Sequence, residues 1–318
     1  MDIKEMLANI EYEDVLTCPI CAGSSIENMI TDVQVDRPSQ AWSLCLTCGH
    51  VFVNPRPTKK WLAGFYTDGY RAMTHGLEKG ESSDRIPVKS VKEEQIRAMS
   101  VATGIMAVRA KVANHLDIGS STGALCAGVI DMVKPTHSWG VEPNDAWRGF
   151  AEKAFGSRNK TLLDYQDDVH FVKTLDKVPK TTKFELVTVI HTLEHLIDPR
   201  GLLEQCHSRM RPGGLLVVEV PNRYGGLVNP LLWPHLHSFT HETLTYLLED
   251  IGFRQIHVET HGNNPPLFIP SPSLRVTAEM KQPDISVDNV LGRYNQYRQA
   301  IGQIQKRMSD LRPQYDIG

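Results

Sequence analysis

Two groups of residues in this chain have types and spacings that can do chemistry. The first is sulfur: Cys18 and Cys21 in LTCPICAGSS and Cys45 and Cys48 in LCLTCGH form a C-x2-C-x23-C-x2-C pattern, with Gly49 directly after the last thiol. Each C-x2-C turn lets two thiolates reach one ion, and four thiolates complete the tetrahedral shell of zinc. A closed shell leaves no position for water, so the expected site is structural. Cys126 and Cys206 stand alone inside apolar helical patterns and read as packing residues. The second group combines carboxylates, glycines and histidines: Asp117, Gly119, Ser121 and Gly123 in HLDIGSSTGALC, Glu142 in GVEP, His191, Glu194 and His195 in HTLEHLIDP, and His235 and His237 in WPHLHSFTHETL. Histidine titrates near neutral pH, which makes it a natural general base wherever a nucleophile must lose a proton.

These residues need elements to hold them. The 318 residues are 41% hydrophobic and 22% charged with a net charge of -3, an ordinary globular composition whose charge disfavours a general polyanion binder. MDIKEMLANIEYED has neither the basic start nor the apolar stretch of a secretory leader, and no run of about 18 apolar residues predicts a membrane span, so a cytoplasmic location is expected. Reducing conditions there favour metal-bound or free thiols over disulfides. From residue 112 strand and helix patterns alternate: strands at VANHLDIG, SWGVEP, DVHFVKT, FELVTVI, GLLVVEVPN and FRQIHVET, and helices near 122–133, 145–155, 199–210 and 240–251, the last capped by Thr240. Near-continuous apolar strands between helices predict a parallel sheet covered on both faces, with ligands at the carboxyl ends of its strands.

The end of the first of these strands narrows the ligand. A dinucleotide fingerprint would read G-x-G-x-x-G and leave a helix N-terminus open to pyrophosphate, whereas here there is one glycine fewer and Asp117 puts an anion at the strand tip. An anion repels phosphate and suits the ammonium of S-adenosylmethionine, with Gly119 and Gly123 letting the backbone approach its amino-acid portion. Glu142, nineteen residues after Gly123 at the next strand end, is placed to accept hydrogen bonds from two ribose hydroxyls.

Residues 112–262 resemble the class I S-adenosylmethionine-dependent methyltransferases, on LDIG-x-x-TG (Leu116–Gly123), GVEP (Gly140–Pro143), HTLEHLIDP (His191–Pro199) and RPGGLLVVEVPN (Arg211–Asn222). The resemblance implies an α/β, Rossmann-like sheet, mostly parallel with an antiparallel last strand, and methyl transfer from S-adenosylmethionine. One departure is Ser121, where that turn often has glycine. With its four-cysteine ribbon the chain is similar to methyltransferases of sugar nucleotides and related natural-product precursors. Histidines matching His195 and His235 lie by the substrate in that group, so these two, with the neighbouring His237, are the candidate bases, and His191 joins the cofactor set. GFYTDGY resembles an aromatic lid, whose Tyr66 and Tyr70 would close over cofactor or substrate. The carbon-methylating subgroup carries a tyrosine and a Glu-His pair where this sequence has Leu232, Pro234 and His235, which makes oxygen the expected acceptor atom.

The expected organisation is a zinc ribbon over 1–58, a helical linker or lid over 59–111, the methyltransferase domain over 112–281 and an amphipathic helix over 282–318. In the last segment Val290, Tyr294, Tyr297, Ile301, Ile304, Met308 and Leu311 form a heptad-type seam that would dock on the enzyme or make a homodimer. Sugar carbon-methyltransferases of this layout continue into a further nucleotide-fold domain, whereas this sequence ends at QYDIG. The expected partner is a small molecule, a sugar or sugar nucleotide. Around the knuckles Asp32, Asp36 and Arg37 make no basic cluster, which disfavours nucleic acid. A ribbon-bearing RNA methyltransferase and a non-catalytic cofactor-binding module are the alternatives. The NNPP stretch at 263–266 follows the sixth strand and reads as a loop.

Overall fold

The computed structural model describes residues 3–32, 38–70, 88–109, 111–158, 168–223, 231, 233–262 and 272–280. The chain opens with helix α1 (Ile3–Ala8) and strands β1 (Tyr12–Glu13), β2 (Ile26–Asp32), β3 (Gln40–Cys45), β4 (Val51–Val53) and β5 (Arg56–Pro57). Helix α2 (Lys59–Gly64), capped by the Thr58 side chain accepting from the Trp61 amide, runs directly into a π-helical turn over Phe65–Gly69. Helix α3 (Val88–Val108) then leads to the alternating region: β6 (Asn114–Ile118), α4 (Ala124–Val133), β7 (His137–Val141), α5 (Asp145–Arg158), β8 (Asp168–Val172), β9 (Phe184–Ile190), α6 (Pro199–Arg209), β10 (Met210–Pro221), β11 (His237–Ser238), α7 (His241–Ile251), β12 (Phe253–Gly262) and β13 (Pro272–Met280).

Seven of these strands form one sheet in the order β12-β13-β10-β9-β6-β7-β8. β8, β7, β6, β9 and β10 are mutually parallel, and β13 is antiparallel to both β10 and β12. The expected antiparallel last strand is therefore present, and it is inserted between β10 and β12 rather than added at an edge. The connection from β12 to β13 spans only residues 263–271, too short for the dozen or more residues that a parallel crossover needs. Successive residues of the central strands bury on opposite faces. Leu186, Leu215 and Val217 pack with Ala98, Val101, Ala102 and Ile105 of α3 and Leu125, Val129 and Val133 of α4, while Val187, Val189, Leu216 and Val218 pack with Leu203 and Cys206 of α6 and Leu244, Leu247 and Leu248 of α7. This is why the strands read as continuous apolar runs rather than as alternating ones. Cys206 is a packing residue, and Cys126 lies buried with its thiol 3.8 Å from Asp117 Oδ2.

The N-terminal unit does not close on itself. Its four-stranded sheet has the order β11-β4-β3-β2, so the strand that completes it comes from residues 237–238, far along the chain. Cys18, Ile20, Cys45, Cys48 and Phe52 belong to the same apolar cluster as the α6 and α7 residues, and Trp42, Val51 and Phe65 pack with Trp233 and Leu236. Arg200 of α6 donates to the Ile20 carbonyl inside the first knuckle, with its Nη2 also 2.7 Å from Asp250 Oδ2. The amphipathic helix expected over 282–318, with its proposed dimer seam, and the NNPP stretch lie outside the described residues.

One polar contact pins the reversed strand. Glu219 of β10 and Arg275 of β13 are direct cross-strand partners, 0% and 5% exposed, with the guanidinium Nε and Nη2 at 2.9 and 2.7 Å from Glu219 Oε2. Removing one member of a buried ion pair leaves the other charge without compensation, commonly at a cost of about 3–5 kcal/mol. Arg275→Leu is expected to lower unfolding free energy by about that amount in chemical denaturation, and an unchanged midpoint would show that the pair does not hold this strand.

Candidate active site

The open end of the sheet is built from four turns. After β6 the chain turns sharply, with the amides of Gly119 and Ser120 donating to the Val141 carbonyl at 2.9 and 3.0 Å. Gly119 and Gly123 sit at φ +79° and +76°, where a side chain is strained, and a Cβ would stand 2.1 Å from Thr192 Oγ1 at the first and 2.9 Å from Phe171 at the second. Ser121, at φ +48°, takes the same left-handed region without being glycine. The backbone of this turn is thus kept bare at both glycines.

Two buried carboxyls face this turn. Asp117 is 2% exposed and accepts from the Thr188 hydroxyl at 2.7 Å; burial nevertheless pushes its pKa up to about 7. Glu142, at the end of β7, is also pushed up to about 7 by burial, against the amides of Asn144 and Ser121 that donate to its two oxygens at 2.7 and 3.0 Å. Each is held short of full ionisation until something cationic or hydrogen-bond donating arrives. Two further groups come from α3. The Glu94 carboxylate accepts from the hydroxyls of Ser121 and Thr122 at 2.9 and 2.5 Å, and Arg97 lies close enough to act electrostatically on Tyr70 and His191, with its Nε buried and making no hydrogen bond among the described residues. Nothing local in KEEQIRAM says which face of α3 meets the turn, so sequence reading missed both.

The histidines gather beside this turn. His191 holds a left-handed backbone at φ +47°, with its ring between two carboxylates, Nδ1 3.4 Å from Glu194 and Nε2 3.1 Å from Glu219. Burial and Arg97 oppose its charge, but these carboxylates prevail and raise its pKa. Glu194 is 1% exposed, and its nearest ring nitrogen is His191 Nδ1 at 3.4 Å. Burial works against ionisation there, yet His191, His195 and His235 together bring its pKa down to about 2. His195 is lowered to about 4 by burial, so it is neutral at working pH, and its Nδ1 makes no hydrogen bond among the described residues. The His195 and His235 rings are 4.9 Å apart, and Tyr66 and Tyr70 approach His195 at 6.0 and 6.2 Å. Asn144 Nδ2 donates to the carbonyls of Tyr66 and Thr67 at 3.3 and 3.1 Å, which ties the aromatic turn to the end of β7.

His237, grouped with the candidate bases from its spacing, is elsewhere. It is 2% exposed, with Nε2 2.7 Å from the Leu196 carbonyl and Nδ1 3.0 Å from His50 Nε2. Both ring nitrogens are engaged and burial lowers its pKa to about 3, so it has no free position with which to take a substrate proton. β11 pairs with β4, His237 opposite Phe52, and this sets its ring against His50, whereas His235 lies in the stretch before β11.

The four cysteines converge as their spacing implies. Cys18 and Cys48 sulfurs are 3.6 Å apart, Cys21 and Cys45 sulfurs 3.5 Å, and all four lie within 4.8 Å of one another. Zinc–sulfur bonds of about 2.3 Å in a tetrahedron put sulfurs about 3.8 Å apart, so a zinc ion fits with little movement.

A mostly parallel seven-stranded sheet with a glycine and carboxylate cradle at its central strand ends defines an α/β methyltransferase domain of the S-adenosylmethionine-dependent class. The chain belongs to the family whose model, described as a methyltransferase domain, matches residues 93–258. Among curated proteins it is similar to a ubiquinone biosynthesis O-methyltransferase of Rhodopseudomonas palustris (strain BisB18), 29% identical over 108 residues that make up 34% of this chain and 39% of the relative. A protein of the same description from Marinobacter nauticus is 28% identical over 109 residues, 34% of this chain and 44% of the relative. The chain thus matches less than half the length of these relatives. Among solved structures, magnesium protoporphyrin IX methyltransferase from Synechocystis PCC 6803 with bound SAH aligns at a TM-score of 0.50 and 14% identity, over 70% of this chain and 100% of that one, a likeness of fold.

The raised carboxyls set a pH dependence. With folded values near 7 against about 4 unfolded, their protonated forms stabilise the empty fold fully below about pH 4, and that contribution is lost as pH rises through about 7. A ligand that needs them ionised must displace the proton. Affinity for S-adenosylmethionine, measured by calorimetry, is expected to weaken roughly tenfold per titrating group between pH 8 and pH 6. Glu142→Gln should cost about 1.5–3 kcal/mol of binding at pH 8 and flatten the profile; a flat profile in the unsubstituted protein would contradict this.

Proposed function

We propose that this protein methylates an oxygen of a small-molecule acceptor, a sugar or sugar nucleotide, using S-adenosylmethionine. The observation that carries the reading is the neutral His195, its ring 4.9 Å from that of His235 and 6.0 and 6.2 Å from those of Tyr66 and Tyr70. The cofactor, when bound, supplies an electrophilic methyl group on its sulfonium. Asp117 and the Gly119–Gly123 turn hold its methionine portion, with His191 at the edge of this set, and Glu142 accepts from the ribose hydroxyls. Tyr66 and Tyr70 cover the reacting side and exclude water. His195, or His235 across from it, would take the acceptor's hydroxyl proton, while the bound cofactor would supply the methyl group and leave as its neutral thioether. Glu194, lying 3.8 Å from His195 Nε2, then stabilises the imidazolium. Aligning oxygen, carbon and sulfur provides the rest of the acceleration. The relatives' printed activity supports oxygen as the nucleophilic atom, and with the aromatic turn it favours a phenolic acceptor as the second reading.

The same proposal assigns a structural zinc to Cys18, Cys21, Cys45 and Cys48, the organisation into units over 1–58, 59–111, 112–281 and 282–318, and a cytoplasmic location, where thiols stay reduced. No helix among the described residues is long and apolar enough to cross a membrane.

A radiolabelled methyl screen across sugar nucleotides, free sugars, catechols and RNA tests the reading. Label is expected in a sugar; label in catechols alone supports the phenolic reading, and label in RNA alone overturns both. His195→Ala is expected to slow turnover by roughly 100- to 10,000-fold while leaving cofactor affinity nearly intact. Normal turnover in both His195→Ala and His235→Ala would remove the histidines from the mechanism.

Metal analysis of the purified protein is expected to find one zinc per chain, reduced in Cys45→Ser. Full retention of zinc in that variant would dismiss the four-thiolate assignment.

A further inference from the structure

The two histidines proposed to flank the acceptor sit on separate segments, the turn Leu193–His195 and the stretch leading into β11, and neither is in regular structure long enough to orient it. Their separation is set by contacts made around them. The Leu236 amide donates to the Glu194 carbonyl at 2.8 Å, and His237 Nε2 donates to the Leu196 carbonyl at 2.7 Å, so the two segments are stitched together on either side of His195. Because Nε2 of His237 is the donor, its Nδ1 must be the acceptor. The proton in the 3.0 Å contact with His50 therefore belongs to His50 Nε2. His50 is 0% exposed and follows Cys48 and Gly49 of the second knuckle. Gln40 Nε2 donates to the His235 carbonyl at 2.9 Å, the Val53 amide to the Leu236 carbonyl at 2.9 Å, and Arg56 Nη1 to the Ile197 carbonyl at 3.0 Å. Every one of those three donors comes from the N-terminal unit.

We propose that His237 and His50 are positioning residues, a fixed-tautomer relay through which the four-cysteine unit sets the separation and orientation of His195 and His235. The proposal rests on the reading that these two histidines flank the methyl acceptor. It explains why a buried imidazole pair stands where apolar side chains would pack: an imidazole can accept from His50 on one side and donate to a backbone carbonyl on the other, and no aliphatic residue can do both. Glutamine carries the same acceptor and donor, whereas leucine carries neither.

The test compares His237→Leu, His237→Gln and His50→Phe with the unsubstituted protein by three measurements: S-adenosylmethionine affinity by calorimetry, kcat and KM on whichever acceptor takes label, and the ring signals of His195 and His235 in 15N-histidine spectra. His237→Leu and His50→Phe are expected to shift both ring signals and lower kcat about 10- to 100-fold, with cofactor affinity within about twofold, because misplacement of a catalytic group by about 1 Å costs on that scale. His237→Gln should recover most of the turnover and the native signals. Unshifted signals with normal turnover in His237→Leu, or no recovery in His237→Gln, would overturn the relay. If His237→Leu does not fold, His50→Phe and His237→Gln decide between the same outcomes. If the unsubstituted protein methylates nothing, the functional reading fails, while the ring signals still decide whether the relay positions these side chains.

Discussion

Burying negative charge is the constraint around which this molecule is arranged. Asp117, Glu142, Glu194 and Glu219 are each at most 9% exposed, and all belong to the ends of β6, β7, β9 and β10 or the turns that follow. An ionised carboxylate withdrawn from water must be paired or lose its charge. The four divide into two kinds. Glu219 is paired with Arg275 and His191, and Glu194 is held ionised by the imidazoles around it. Among the described residues Asp117 accepts from the Thr188 hydroxyl and the Cys126 thiol, and Glu142 from two amides with Arg148 nearby, yet burial keeps both near 7. The first two have charged partners inside the protein, and the other two do not have enough to offset burial.

The same economy of contacts explains why the N-terminal unit is attached as it is. A small four-strand sheet with a four-thiol centre has too little apolar surface to stand as a large core, and here it shares its core with α6 and α7 and borrows β11 to complete its sheet. Its cysteines pack in one apolar cluster with residues of α6 and α7. It reaches the segments that carry His195 and His235 through their backbone, by donating hydrogen bonds to the carbonyls of His235, Leu236 and Ile197.

Much was legible beforehand because it depends on neighbours in sequence. The C-x2-C turns announced convergent thiols since two ligands of a tight turn reach one ion whatever surrounds them. FELVTVI is the strand expected, residue for residue, and the helices near 199–210 and 240–251 are α6 and α7 to within one residue at each end. Asp198 and Thr240 cap those helices through their own side chains, a local interaction. The glycines at 119 and 123 were readable for the same reason: a left-handed turn demands glycine before any partner is known.

What local pattern could not decide was which residue of a given type faces which neighbour. His235 and His237 are two apart and chemically identical, yet one faces His195 and the other His50, because His237 is in β11, paired with β4, while His235 lies in the stretch before that strand, and the strand's partner was not visible in the chain. Glu94 and Arg97 look like any charged pair on a helix until α3 is laid over the Gly119–Gly123 turn. The sequence by itself determined the elements, the four thiols, the cradle at the ends of β6 and β7 and the class of cofactor, since these follow from propensity, spacing and charge within short segments. The tertiary structure alone decided which histidines meet, which carboxylates are paired and how the N-terminal unit reaches the site, because those outcomes depend on which surfaces are buried together across nearly two hundred residues of chain.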